Sequence, residues 1–240
     1  MSRTATPVRP YAFGRTLNPS SRNILTRYTA RMIEGDTLFA RLGRAVCEAE
    51  CLPRKEFFEA WEVAKRVHRK LRGGTVLELA AGHGLLAAML LILDDHLTEA
   101  ICVDVTEPPS HRRVLRVLEA RWPRLAGRIH YREQRIDETQ AAPESLVISV
   151  HACGALTDQT LDLAVSARSR VVVLPCCHDL KRCDTGELTG WMDGPLAVDA
   201  TRVARLHGAG YRVLTATIPA DITPKNRLLM AWPDPGVAGA

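Results

Sequence analysis

Six residues in the first half of this 240-residue chain have the types and spacing to hold a nucleotide-like ligand: Glu78, Ala80, Gly82, His83, Gly84 and Asp104. Small residues from 80 to 84 let backbone approach a ligand closely, and a helix start behind them offers N–H groups without partners. Asp104 follows Gly84 by twenty positions, the spacing at which an α/β nucleotide-binding fold sets a carboxylate on a ribose. Taken alone, the pattern E-x-A-x-G-x-G admits a dehydrogenase as readily as other nucleotide users.

The elements that must position these residues are a buried strand over 75–79, the turn at 80–84, and an apolar helix over 85–93. A second strand over 100–105 delivers Asp104. Further on, strand and helix signals alternate: helix 111–121, strand 128–136, strand 145–150, helix 158–167, strand 170–174 and helix 199–207. Strands 211–218 and 226–232 are joined by a connection too short for a helix, so they pair antiparallel. The expected fold class is therefore α/β, a Rossmann-like sheet of seven strands with an antiparallel last strand. Upstream, helical patterns over 24–32, 37–51 and 55–72 form an amino-terminal extension, and Gly73-Gly74 stops the last of them. The expected division is a flexible arm over 1–21, a basic helical region over 22–72 and a catalytic domain over 73–240.

An apolar fraction of 46% is that of an ordinary globular chain, and no apolar run reaches membrane-spanning length. The basic start lacks an apolar signal core, so the expected location is the cytoplasm, without a membrane partner. Seven cysteines then read as thiols rather than a disulfide framework. Charge is divided: residues 1–72 carry a balance of +8 and residues 73–240 a balance of −3. A basic extension on a mildly acidic body suits a polyanion such as RNA, with Arg22, Arg27 and Arg31 as candidate phosphate contacts. The competing explanation is a solvated helix face, since cations in a last helical turn also answer the helix dipole. Aromatic content of 5% leaves few stacking platforms for bases, with Tyr11, Phe13 and Tyr28 nearest the basic region.

The strand order with a closing hairpin resembles the class I S-adenosylmethionine-dependent methyltransferases over roughly residues 73–233. The motifs V-H-A-C-G-x-L-T-D, L-P-C-C-H and D-I-T-P-K-N-R-L-L are similar to a narrower methyltransferase family, that of the glutathione S-transferase C-terminal-domain-containing protein. More distantly they are similar to tRNA 2′-O-methyltransferases of the acceptor stem. His151, Cys153, Gly154, Asp158, Cys176, Cys177, His178, Thr223 and Asn226 carry that likeness. The resemblance implies S-adenosylmethionine as cofactor, with Glu78, Ala80, Gly82, His83 and Gly84 at its methionine end and Asp104 on the ribose. Ile136 would lie beneath the adenine, Asp137 at its amino group and His151 near the methyl. Glu78 suits a ligand whose amine and sulfonium are cationic. Alanine replaces the first glycine of the usual motif at Ala80, a change of little cost unless φ there is positive.

Candidate catalytic residues stand at two later strand ends. The imidazole of His151 can orient or deprotonate an acceptor. Cys153, Cys176 and Cys177 are candidate thiols, with a cysteine nucleophile of the kind used on 5-methylpyrimidines as one use. His178 and Asn226 are candidate substrate contacts. No metal is expected, because neighbours in a strand point to opposite faces and Cys176 and Cys177 would then diverge. Three functions compete: an RNA methyltransferase, a methyltransferase for a small molecule or protein under a lid containing Phe57, Phe58 and Trp61, and a binding module without catalysis. Direct in-line transfer to oxygen or nitrogen is the expected mechanism, with alignment as the enzyme's main contribution. Oligomeric state is not legible.

Overall fold

The computed structural model describes residues 17–236. Seven strands form one sheet in the order β3-β2-β1-β4-β5-β7-β6. They are β1 (Gly74–Leu79), β2 (Leu97–Asp104), β3 (Ile129–Glu133), β4 (Leu146–Ser149), β5 (Arg170–Val173), β6 (Tyr211–Thr217) and β7 (Arg227–Pro233). The first five run parallel, and β7 enters antiparallel to both β5 and β6. This is the Rossmann-like seven-stranded α/β sheet with an antiparallel last strand expected above.

Period-two alternation sorts each central strand between two cores. Val76, Cys102, Ile148 and Val172 face one cluster, while Leu77, Val103, Val147 and Val171 face the other. Both faces are covered, which is why these strands read as near-continuous apolar runs. The first core holds the helices α2 (Leu38–Ala49), α3 (Arg54–Lys70), α4 (Leu85–Leu93) and α5 (Pro109–Arg121). The second lies under α6 (Ala155–Ser166) and α7 (Gly194–Gly208). Helix α4 has no polar face and is buried from Leu85 to Ile92, because α3 packs over it from outside. The apolar stripe Phe57, Trp61, Ala64 and Val67 of α3 belongs to the same core as Val76 of β1. No gap in the core therefore falls at residue 73.

Several element boundaries differ from the sequence reading. The helix expected over 24–32 shrinks to α1 (Arg27–Ala30), because Leu25 donates to the Leu52 carbonyl at 2.8 Å and Ile24 bridges Pro53. The third strand stops at Glu133 and gives way to a 3₁₀ turn at Ile136–Glu138. Helix α6 starts at Ala155, behind Gly154 at φ 57°. Helix α7 starts at Gly194, where the Asp193 carboxylate accepts from the Leu196 N–H at 3.0 Å.

Part of the basic run on α3 is neutralised within the protein. Lys65 and Arg66 both pair with Glu62, and Arg72 reaches the buried Asp94 at 3.4 Å. Among the described residues no helix is long and apolar enough to cross a membrane. Tyr11, Phe13 and most of the 1–21 arm lie outside the described residues.

Candidate active site

Between β1 and β4 the strand order reverses direction, and a crevice opens beyond their carboxyl ends. A cavity of about 290 Å³ lies there. Glu78, Ala80, Gly82, His83, Asp104 and His151 all line it. These six candidates come from three strand ends, and the sheet alone brings them together.

The turn is built on left-handed backbone at Ala80 (φ 50°), Gly82 (φ 48°) and Gly84 (φ 68°). Glycine is required at Gly84 for a second reason: a Cβ there would meet His111 Nδ1 at 2.8 Å and Cys102 Sγ at 3.0 Å. At Ala80 the condition named above is met: φ is positive, and alanine there costs roughly 1 kcal/mol. The Asp104 carboxylate accepts from the Gly82 N–H at 3.0 Å and so ties the end of β2 to the turn.

Glu78 is almost fully buried, with Oε2 accepting from the Ala87 N–H at 2.9 Å. Burial pushes its carboxyl up to about 8; the Ala87 bond opposes the rise and the neighbouring Asp104 adds to it. The unfolded chain would ionise near the ordinary carboxylate value, so between the two the folded protein holds a proton that the unfolded chain has lost. The resulting stabilisation is complete at low pH and is lost as pH rises through about 8. Denaturant titrations of the ligand-free protein at several pH values are expected to show stability falling across this window, and Glu78→Gln is expected to flatten that part of the profile.

The wall opposite the turn comes from the amino-terminal helices. Leu52, Glu56 and Ala60 line the cavity, a contribution with no local signal in the sequence. His83 accepts or donates to Ser110 Oγ at 2.6 Å through Nδ1 and lies 3.2 Å from Glu56 Oε2 through Nε2. Burial alone would raise the Glu56 carboxyl, but the His83 hydrogen bond and the nearby His151, His83 and Lys55 hold it below the usual range.

The other candidates fall elsewhere. Ile136 and Asp137 do not line this cavity; Asp137 is exposed and its carboxylate is held by Arg135 at 2.8 and 2.9 Å. Asn226 uses its amide to donate to the Ile218 carbonyl at 3.0 Å, closing the turn between β6 and β7. His178 donates through Nε2 to Asp199 Oδ1, 2.8 Å away, and lines a separate cavity with Cys153 and Cys177. Arg22, Arg27 and Arg31 are exposed and form no ion pair among the described residues. The expected divergence of Cys176 and Cys177 does not occur: β5 ends at Val173, both cysteines lie in the following loop, and their sulfurs join that of Cys153.

A methyltransferase-domain family matches residues 55–183, more than half of the chain. The chain belongs to this methyltransferase family. S-adenosylmethionine is the methyl donor that the class I domain uses. The match begins inside α3, so the helix that supplies Glu56 and Ala60 is part of the family's own region. No curated protein matches the sequence. Among solved structures, an O-methyltransferase family protein from Burkholderia thailandensis aligns at 18% identity, covering 82% of this chain and 63% of that one, with a TM-score of 0.48. Mitomycin 7-O-methyltransferase aligns at 20% identity over 81% and 57% of the two chains, with a TM-score of 0.48. The ribosomal protein L11 methylase from Lactobacillus delbrueckii subsp. bulgaricus aligns at 11% identity over 74% and 77%, with a TM-score of 0.45. The chain thus spans less than two thirds of the length of the first two.

The methyltransferase's cavity fits its donor in chemistry. The buried Glu78 carboxyl, held protonated near neutrality by burial, would ionise opposite a cationic amine or sulfonium, and Asp104 offers carboxylate oxygens at the end of β2. The glycine turn exposes backbone rather than side chains beside them.

Proposed function

We propose that this methyltransferase acts on RNA, and that Glu78, Ala80, Gly82, His83, Gly84 and Asp104 hold the methyl donor. Bound there, S-adenosylmethionine supplies an electrophilic methyl carbon on a sulfonium. Glu78 gives up its proton as the cationic donor binds and then balances that charge, and Asp104 accepts from the ribose hydroxyls. His151, at the end of β4, orients the acceptor and takes its proton on a ring nitrogen as the new bond forms. Glu56, on the opposite wall, favours the resulting imidazolium.

One observation carries the choice of RNA. The stretch that holds the cationic surplus of +8 also walls the cavity through Leu52, Glu56 and Ala60. A polyanion held on the exposed Arg22, Arg27 and Arg31 is therefore held by the same region that borders the methyl-transfer cavity. The likeness of the His151, Cys176 and Asn226 motifs to tRNA 2′-O-methyltransferases supports the same reading, and oxygen or nitrogen is the expected acceptor atom.

Incubating the protein with labelled donor and separated RNA, protein and metabolite fractions tests it directly. Label is expected in RNA; label confined to metabolites or protein would reject the RNA reading. The triple change Arg22→Ala, Arg27→Ala and Arg31→Ala is expected to weaken RNA binding and to lower the slope of log affinity against log salt by about 2, at roughly 0.7 per released phosphate contact on a single strand. An unaltered slope would remove these three residues from the interface.

A further inference from the structure

Two loops meet beside the methyltransferase cavity, and the first of them also lends Val150 and His151 to its wall. One follows β4 and carries Cys153; the other follows β5 and carries Cys176 and Cys177. The Gly154 N–H donates to the Cys177 carbonyl at 3.0 Å, which locks the loops together. The three sulfurs lie within 4.8 Å of one another, and those of Cys153 and Cys176 approach to 3.0 Å. Thiols gain little from such crowding, whereas thiolates around a borderline-soft cation require it.

We propose that Cys153, Cys176 and Cys177 bind one zinc ion. Zinc–sulfur bonds of about 2.3 Å in a tetrahedral shell set sulfurs roughly 3.8 Å apart, so the cluster needs only a small opening of the Cys153–Cys176 pair. Coordination replaces three S–H bonds with three S–Zn bonds and releases three protons to solvent. Burial first, and then the neighbouring sulfurs, push the Cys176 thiol far above its ordinary range, and burial raises Cys153 as well. A cation reverses that preference by stabilising the thiolates.

Two further features of the loops suit this role. Cys153 and Cys177 are exposed, so an ion can enter from solvent. His178, next to Cys177, has its Nε2 on Asp199, and its buried Nδ1 has no hydrogen-bond partner among the described residues. A ligating imidazole has this pattern, with one nitrogen on a carboxylate and the other free for metal. His178 Nδ1 is not among the atoms that converge with the three sulfurs, so the proposal rests on the sulfurs alone. The ion would hold the segment that follows His151 against the loop after β5. This inference does not depend on which substrate is methylated.

The test uses the full chain, purified under reducing conditions without chelator, with zinc measured by mass spectrometry of the digested protein. About one zinc per chain is expected, and Cys176→Ser and Cys153→Ser are expected to reduce it at least tenfold, while Cys51→Ser leaves it unchanged. Replacing zinc by cobalt in the wild-type protein is expected to give intense near-ultraviolet thiolate-to-metal bands, a readout that does not depend on any variant folding. Reduced wild-type protein that binds neither zinc nor cobalt would overturn the proposal. So would a Cys153–Cys176 disulfide that, once reduced anaerobically, still leaves the protein unable to take up metal.

Discussion

Asp104→Ala is expected to weaken S-adenosylmethionine binding by at least about 100-fold in calorimetry. Two effects act together. The change removes the carboxylate proposed to accept from the ribose, and hydrogen bonds to a charged group contribute about 1.5–3 kcal/mol each. It also removes the acceptor that holds the Gly82 N–H at 3.0 Å, so the left-handed turn loses its tie to β2. Asp104→Asn retains an acceptor for that N–H and is expected to lose less. The separation between the two variants therefore measures how much of the effect is charge and how much is the shape of the turn. Equal affinity in Asp104→Ala and the wild type would remove Asp104 from the site.

The second large effect is expected far from the donor. Arg202 of α7 is 1% exposed and makes two hydrogen bonds to Asp158, at 3.0 and 2.7 Å. It also donates to Asp199 and to the Gly154 carbonyl, each at 3.2 Å. Asp199 in turn holds His178 and Arg227, so one guanidinium connects α6, α7, β7 and the loops after β4 and β5. Arg202→Ala would leave a void in which Asp158 keeps only Arg205, while Asp199 keeps His178 and Arg227. Removing one partner of a buried ion pair costs about 3–5 kcal/mol, which for a chain of this size is a fall in melting temperature of roughly 10 °C. Because the Gly154 carbonyl is released as well, the loop behind His151 should exchange its amide hydrogens faster. A fall within about 1 °C of zero, with unaltered exchange there, would mean that the network is not what holds these loops.

Much of this architecture was legible in the sequence because its signals are local. The apolar run of β1, the small residues from Ala80 to Gly84 and the acid at Asp104 each follow from one strand ending in one turn, and the hairpin of β6 and β7 is announced by its short connection. Tertiary features escaped for the same reason. Glu56 reaches the cavity from α3, a helix whose pattern shows only which stripe faces the core, and Arg202 reads as a surface cation on an amphipathic helix. Asp137 matched a position in the chain but is pulled outward by Arg135, two residues away. The alternation argument separated Cys176 from Cys177 only by assuming that β5 continued to them, whereas it ends at Val173. The cost at Ala80 turned on a single φ angle, which residue type does not reveal.

The central claim is that the crevice between the ends of β1 and β4 holds the methyl donor with Asp104 on its ribose. A crystal structure of the protein with S-adenosylhomocysteine tests this most directly. The account predicts both ribose hydroxyls within hydrogen-bond distance of the Asp104 carboxylate and the amino-acid end over the turn at Gly82 and Gly84. Ligand bound elsewhere, or in this crevice with the ribose turned away from Asp104, would contradict it.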